Sequence, residues 1–181
     1  MKFVTMETAM SLVDRSERTL WRMVSDGLVL KEIQNGTAML LLDSLKPYFC
    51  IPFTDEDDEL LDAAIDGDAP SQTDVALIFL SQNKPNRAIY WLNLAVQQNF
   101  PDAMNFLGRC YIEGNGVDKN EQTGIVWITK AAALGHVISR ACQKFCVGGI
   151  PCCLKGAGMP SKTSKKKPAA PLPTIPKELL D

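Results

Sequence analysis

Three arginines near the N-terminus are the residues whose type and spacing most clearly suggest chemistry. Arg15, Arg18 and Arg22 recur at intervals of three and four residues, which on a helix places their guanidinium groups along one stripe. Such groups bind phosphates and the guanine edge bidentately, and the hydroxyls of Ser16 and Thr19 can bond either partner. The spacing predicts a helix face that fits the major groove of DNA. Solvated arginines on a helix that only packs show the same spacing, and the pattern alone leaves both interpretations open.

Two short helices must position these arginines. Residues 5–13 have apolar side chains on one face, with Thr5 or Thr8 available as an N-cap. Asp14 and Arg15 supply a polar turn, and Ser16 begins the second helix. Gly27 stands where the end of that helix requires a positive φ. Its apolar face is formed by Leu20, Met23 and Val24.

A β-hairpin is predicted directly after the helix pair. Residues 28–33 and 37–42 are apolar-rich segments that flank Gln34-Asn35-Gly36-Thr37. Asn-Gly is the strongest short-range hairpin signal, because both central turn residues must accept a positive φ. We expect this hairpin to form a wing beside the helices.

This region resembles a known class of DNA-binding domain. The pattern Ser16-x-Arg18-Thr19-Leu20-Trp21-Arg22-x-Val24-x-x-Gly27-Leu28 resembles the second-helix signature of MerR-type and excisionase-like winged helices, over about 50 residues. The resemblance implies DNA binding through Ser16, Arg18, Thr19 and Arg22 on the reading helix and through Lys31 and Asn35 on the wing. MerR regulators continue into a dimerisation coiled coil, whereas this chain has no sustained heptads.

The charge of the chain is unevenly distributed. Its 181 residues carry a formal net charge of −2, but residues 52–72 hold eight acidic side chains and no basic one, and Gly67 and Pro70 interrupt them. We therefore expect an acidic linker over residues 53–72. The Lys- and Pro-rich residues 155–181 are expected to form a disordered tail.

The composition also excludes some classes of protein. The chain is 46% apolar and 22% charged, which is typical of a globular protein. No run approaches the ~18 consecutive apolar residues of a membrane span, and the first residues lack the apolar core of a secretory signal. We expect a cytoplasmic protein without a membrane partner.

The second half contains an internal repeat. Ala88-x-x-Trp91-x-x-x-Ala95 and Gly124-x-x-Trp127-x-x-x-Ala131 superimpose at an offset of 36 residues, a length typical of a helix pair. Gly114 and Gly116 would break the helix before them. Without a preceding strand and a third glycine, they do not indicate a nucleotide site.

These residues resemble the Sel-1-like repeat, a relative of the tetratricopeptide repeat. An earlier copy covers about residues 74–99, and a third begins near residue 137. The resemblance implies an adaptor surface for a peptide or protein, and because the array is short, a partner or self-association is expected. Gly124 departs from the pattern, which usually has Ala there. The matching positions are Ala103, Leu107, Gly108, Tyr111, Gly114, Gly116, Val117, Trp127, Lys130, Ala131, Ala132 and Gly135.

Neither catalysis nor a cofactor is expected. Cys142, Cys146, Cys152 and Cys153, with His136 upstream, form the chain's cysteine cluster, but their spacing does not match the Cys-x-x-Cys knuckles of structural zinc sites. His136 is the chain's single histidine, and no nucleophile–base motif accompanies it. We expect the conspicuous aromatic residues Trp91, Trp127 and Tyr111 to be repeat core.

The sequence thus predicts a mainly α protein. A small winged helix-turn-helix with a β-hairpin wing over residues 1–52 is followed by the linker and by a short αα-repeat solenoid over residues 73–154. Two functions fit this organisation. One is a transcriptional or mobile-element regulator that binds DNA and whose repeats bind a protein or self-associate. The other is a non-enzymatic adaptor whose winged helix binds protein instead.

Overall fold

A computed structural model describes residues 2–34 and 36–136. The N-terminal module, residues 2–52, contains three helices, one of them a single turn, and a small antiparallel sheet. Its elements are β1 (Phe3–Thr5), α1 (Met6–Val13), α2 (Glu17–Ser25), β2 (Lys31–Gln34), β3 (Thr37–Leu41) and α3 (Leu42–Leu45), followed by a 3₁₀ turn at Lys46–Tyr48.

Of the two predicted caps of the first helix, Thr5 rather than Thr8 is the N-cap, and the predicted start of the second helix at Ser16 is confirmed. Thr5 caps α1 by accepting a hydrogen bond from the Thr8 amide at 3.2 Å, and Ser16 caps α2 through the Thr19 amide at 3.3 Å. Each cap satisfies an amide that has no partner within its helix. Gly27 follows α2 with φ +72°, as its predicted role at the helix end requires.

The predicted hairpin is confirmed as β2 and β3, which pair from Lys31 opposite Leu40 to Gln34 opposite Thr37. The sheet has the order β1-β3-β2, and β1 was not predicted. Its three residues are too few to show the alternation by which a strand is recognised. It pairs with β3, which is far away in the sequence. This strand is therefore determined by a tertiary contact rather than by a local sequence pattern.

The second half consists of helices that pack in consecutive antiparallel pairs. They are α4 (Asp55–Asp66), α5 (Ala69–Ser81), α6 (Pro85–Gln97), α7 (Pro101–Glu113) and α8 (Glu121–Ala133). Helix α5 packs on α6, and α7 packs on α8, as the 36-residue repeat predicts. The predominance of helix agrees with the predicted fold class.

The expected linker over residues 53–72 is corrected, because most of it is helical. Thr54 begins α4 by a capping box, in which its amide donates to Asp57 Oδ2 at 2.8 Å. Acidic side chains near a helix N-terminus interact favourably with the helix dipole, so a charge run there is compatible with helix. Leu61 and Ala64 are each 1% exposed, and they give α4 a buried face. Asp68 then caps α5.

One hydrophobic core joins the N-terminal module to the repeats. The ring of Phe53 makes edge-on contacts with Phe49 at 5.5 Å and with the buried Phe79 at 6.1 Å between centroids. Leu12 of α1 and Leu61 of α4 belong to the same cluster of buried side chains. The two halves are therefore packed together rather than tethered.

Two glycines set the crossing of α7 and α8. A Cβ on Gly124 would lie 2.5 Å from the Gly108 carbonyl oxygen, and one on Gly108 would lie 2.8 Å from the Gly124 carbonyl oxygen. The backbones are thus closer than two alanines would allow. This close approach explains why Gly124 departs from the alanine of the repeat pattern.

Candidate nucleic-acid and protein interfaces

The outward face of α2 carries two of the predicted DNA-contacting arginines. Leu20 and Met23 are buried against the module core, so Arg18 and Arg22 lie on the opposite, exposed side. The hydroxyls of Ser16 and Thr19 are 2.9 Å apart and lie at the start of the same helix. Helix α2 therefore brings four of the predicted residues onto one accessible element.

Arg15 does not belong to the helical stripe, and this prediction is corrected. Helix α2 begins at Glu17 with Ser16 as its cap, so Arg15 lies in the turn before it. Asp14, in the left-handed conformation with φ +55°, turns the chain there. Arg15 nevertheless lies beside Thr19 and Arg22, because all three line one groove, whose far wall includes Tyr48.

Lys31 on the hairpin is joined to α2 through Trp21. The Lys31 ammonium lies 5.2 Å from the centroid of the Trp21 ring, a favourable cation–π geometry. The indole N–H of Trp21 donates to Glu17 Oε1 at 3.3 Å, which fixes the orientation of the ring. Asn35, the other predicted wing residue, lies outside the described residues.

Trp21 and Tyr48 were not among the predicted site residues. Trp21 is 36% exposed although it is large and apolar, and its helical phase next to Arg18 was a signal that sequence reasoning could have used. Tyr48 approaches α2 only through the tertiary fold, so no local pattern marks it.

The other basic side chains near the module are paired with carboxylates. Lys2 lies 2.9 Å from Asp66, and Lys46 lies 2.7 Å from Asp58, both on α4. The hydrogen bond to Asp58 raises the pKa of Lys46. In contrast, Arg15, Arg18 and Arg22 form no ion pair within the described part of the chain. The basic residues that form ion pairs are Lys2, Lys46, Lys84, Arg87, Arg109, Lys119 and His136.

Polar contacts also fix the helix pair onto the repeats. Asp14 accepts hydrogen bonds from Lys84 Nζ at 2.8 Å and from Arg87 Nε at 2.8 Å. The hydrogen bond from Lys84, which has the larger effect, and that from Arg87 hold the pKa of Asp14 below its ordinary value. The hydroxyl groups of Thr8 and Tyr90 lie 2.9 Å apart. The orientation of α1 and α2 therefore depends on α6.

The aromatic residues of the repeats pack in the core, as predicted. Trp91 is fully buried, and Tyr111 and Trp127 are partly buried against the same cluster. Gly114 and Gly116 adopt positive φ of +73° and +78°. A Cβ on Gly116 would lie 2.6 Å from the Pro85 carbonyl carbon, so this turn packs tightly on the start of α6 and offers no open phosphate loop.

Within the described residues, Cys50 and Cys110 are free thiols. Burial raises the pKa of Cys110 to about 11 and also raises that of Cys50. The cluster Cys142–Cys153 lies outside the described residues. His136 Nε2 lies 3.4 Å from Asp102 Oδ1, and the described residues contain no group of His, Cys, Asp or Glu suited to a metal ion. None of the described helices is long and apolar enough to cross a membrane.

Comparison with known proteins identifies the repeats. The Sel1 repeat family matches residues 77–100 and 101–136. The Sel1 repeat protein from Oxalobacter formigenes is a structural neighbour, with a TM-score of 0.44 and 29% sequence identity over 50% of this chain and 75% of that one. None of the curated proteins matches the sequence significantly.

Residues 77–136 are therefore Sel1 repeats, and the predicted resemblance is confirmed over these residues. The third copy predicted near residue 137 and the tail predicted over residues 155–181 lie outside the described residues. Repeats of this kind indicate protein–protein interaction, and the match points to no catalytic family. The family match does not extend to residues 1–52, whose resemblance to MerR-type winged helices stays a prediction.

Proposed function

We propose that this protein is a non-enzymatic, cytoplasmic DNA-binding regulator. Its N-terminal module contacts DNA, and its Sel1 repeats bind a partner protein or a second copy of the chain. One observation carries the DNA half: Arg15, Arg18 and Arg22 are exposed and unpaired, whereas Lys2 and Lys46 of the same module are held by carboxylates of α4.

The charge distribution supports this reading. Eight acidic residues close to a DNA-binding helix would repel phosphates if they faced it. Three of the eight, Asp58, Asp62 and Asp66, instead pair with Lys46 or Lys2. The arginines therefore keep their charge available for a polyanion, and counterion release from DNA would drive binding.

The arrangement of elements is also suitable. Helix α2 is nine residues long and exposes its arginine face, and the β2–β3 hairpin lies beside it through the Lys31–Trp21 contact. In winged helices a helix of this kind enters the major groove. Lys31 and Asn35 on the hairpin would then reach the flanking backbone.

For the repeats, we propose a protein partner. Two helix pairs over residues 77–136 form a short array, and α8 exposes Val126 and Leu134, which are 49% and 50% exposed. Exposed large apolar side chains on one helix favour a further contact. Sedimentation of the full chain across a concentration series distinguishes self-association from a heterologous partner.

The adaptor alternative rests on the hairpin. Leu28, Leu30 and Ile33 are 50%, 59% and 69% exposed, and an apolar patch of this kind also suits a protein surface. In that case the N-terminal module would bind protein, and the arginines would line the edge of that interface.

Fluorescence anisotropy of the full chain separates the two functions. The titrations use a labelled duplex enriched from a genomic DNA pool and a random duplex, across a salt series. The regulator predicts preference for the enriched duplex, a steep salt dependence, and loss of selective binding in the double variant Arg18→Ala/Arg22→Ala. Lys119→Ala, which removes an exposed charge in the repeats, serves as the matched control. Equal weak binding to both duplexes that the double variant leaves unchanged contradicts DNA recognition.

A further inference from the structure

Arg15, Arg18 and Arg22 do not all line the same groove of the module. Arg15, Thr19 and Arg22 line the groove opposite Tyr48. Arg18 does not line that groove. It lies three positions before Trp21 on α2, and we take these two residues as a second, neighbouring face, at which Lys31 of the hairpin meets the indole ring.

We propose that these faces have separate tasks: the groove of Arg15, Arg22 and Tyr48 holds the DNA phosphodiester backbone, and the face of Arg18 and Trp21 contacts the bases. The assignment deepens the proposed DNA binding and rests on it.

The groove has the chemistry of a phosphate site. Two guanidinium groups and the hydroxyls of Thr19 and Tyr48 supply donors, and no carboxylate lines the groove. Apolar side chains complete its lining, which strengthens charge–charge attraction relative to open water. A phosphodiester accepts hydrogen bonds and carries one negative charge, so it complements both features. The apolar lining residues are Val13, Met23, Leu28, Pro47 and Phe49.

The second face has the chemistry of a base-reading surface. Trp21 presents a flat, partly exposed ring whose indole N–H is already engaged by Glu17 at 3.3 Å. The ring is left with apolar surface, which suits the thymine methyl group, while Arg18 beside it can bond a guanine edge. A preoriented ring loses little conformational entropy when it contacts a base.

The division of tasks is testable with the full chain and two labelled duplexes, one enriched by selection and one random. Arg15→Ala is expected to weaken binding to both duplexes by the same factor, about tenfold, and to reduce the slope of log affinity against log salt by about 1. Tyr48→Phe is expected to weaken both equally with no change of slope. Arg18→Ala and Trp21→Ala are expected to reduce the preference for the enriched duplex. Thermal melting controls for folding.

A second measurement uses the DNA rather than the protein. Methylphosphonate substitution removes the charge of one phosphate at a time. At the contacted position it is expected to weaken the wild type about tenfold and Arg15→Ala less than about twofold, because the variant has already lost that contact.

The possible failures are distinguishable. If the wild type prefers the enriched duplex but Arg15→Ala leaves affinity and salt slope unchanged, the backbone assignment is overturned while DNA binding stands. The same holds if Arg15→Ala lowers the preference as much as Arg18→Ala does. If the wild type binds neither duplex, the proposed function itself fails. It also fails if the wild type binds polyglutamate, a polyanion without bases or phosphates, more tightly than either duplex.

Discussion

The Lys84 ammonium donates a hydrogen bond to Asp14 Oδ2 at 2.8 Å, across a separation of 70 residues in the sequence. Asp14 forms the turn between α1 and α2, and Lys84 is the N-cap residue of α6. The contact therefore connects the turn of the proposed DNA-binding unit to the first Sel1 repeat. It makes the position of α2 dependent on the folded repeats.

Asp14→Asn tests this connection. The hydrogen bonds from Lys84 and Arg87 lower the pKa of Asp14. These contacts therefore stabilise the fold fully at pH values above the unfolded pKa of 3.8. The stabilisation is lost as the pH falls through the lower pKa of the folded state. At about pH 7 the variant is expected to lose up to about 1 kcal/mol of unfolding free energy. In urea titrations at decreasing pH, the difference from wild type is expected to shrink below about pH 4. Asp26→Asn, at an exposed position, should show no such difference. A difference in unfolding free energy between Asp14→Asn and wild type that stays constant down to about pH 2 would contradict a stabilising Asp14–Lys84 pair.

Leu61→Ala tests whether α4 belongs to the core. Leu61 is 1% exposed, so its truncation is expected to lower the unfolding free energy by about 2–5 kcal/mol. The exposed neighbour Glu59 gives the control Glu59→Ala, which should stay within about 0.5 kcal/mol of wild type. Equal, small effects of both variants would indicate that residues 55–66 behave as a linker after all.

Gly124→Ala tests the close crossing of α7 and α8. The added methyl group would meet the Gly108 carbonyl oxygen at 2.5 Å and Ile112 Cγ1 at 2.5 Å, so one helix must shift. We expect a net loss of about 1–3 kcal/mol, despite the better helix propensity of alanine. Gln122→Ala, exposed on the same helix, is the control. A variant more stable than wild type would show that the helices are not held this close.

Cys110 is expected to be unreactive in the folded protein. It is 0% exposed, and burial raises its pKa to about 11. Only about one thiol in a thousand is then ionised at about pH 8, and the thiolate is the reactive form. Mass spectrometry of the Cys110 peptide after iodoacetamide treatment should show slow labelling that becomes rapid in urea. Labelling at the same rate with and without urea would rule out the buried site.

Local signals predicted the elements that depend on local interactions. Thr5 and Ser16 could be identified as helix caps because a cap acts on an amide three residues away. Asn35-Gly36 indicated the hairpin because its turn geometry is set by two residues. The Trp91 and Trp127 repeat predicted the helix pairs since each pair buries the same face.

The remaining features depend on contacts between distant segments. The acidic run before Leu61 suggested a linker, because charge patterning contains no information on the lysines that pair with it. The prediction that Arg15 belongs to the helical stripe was wrong because α2, capped by Ser16, begins at Glu17, two residues after Arg15. Tyr48 reaches the groove only through the tertiary fold of the N-terminal module, and the Asp14–Lys84 pair forms only when the two halves pack.

The contact from Phe49 through Phe53 to Phe79 also determines where the chain can be cut. A fragment ending at residue 52 would lose both Phe53 and Phe79 and expose the ring of Phe49. It would also lose Lys84, Arg87 and Tyr90, which hold Asp14 and Thr8. The shortest fragment that keeps these partners on whole helices ends after α6, at Gln97. The first Sel1 repeat is thus as much a foundation for the N-terminal helices as a binding module.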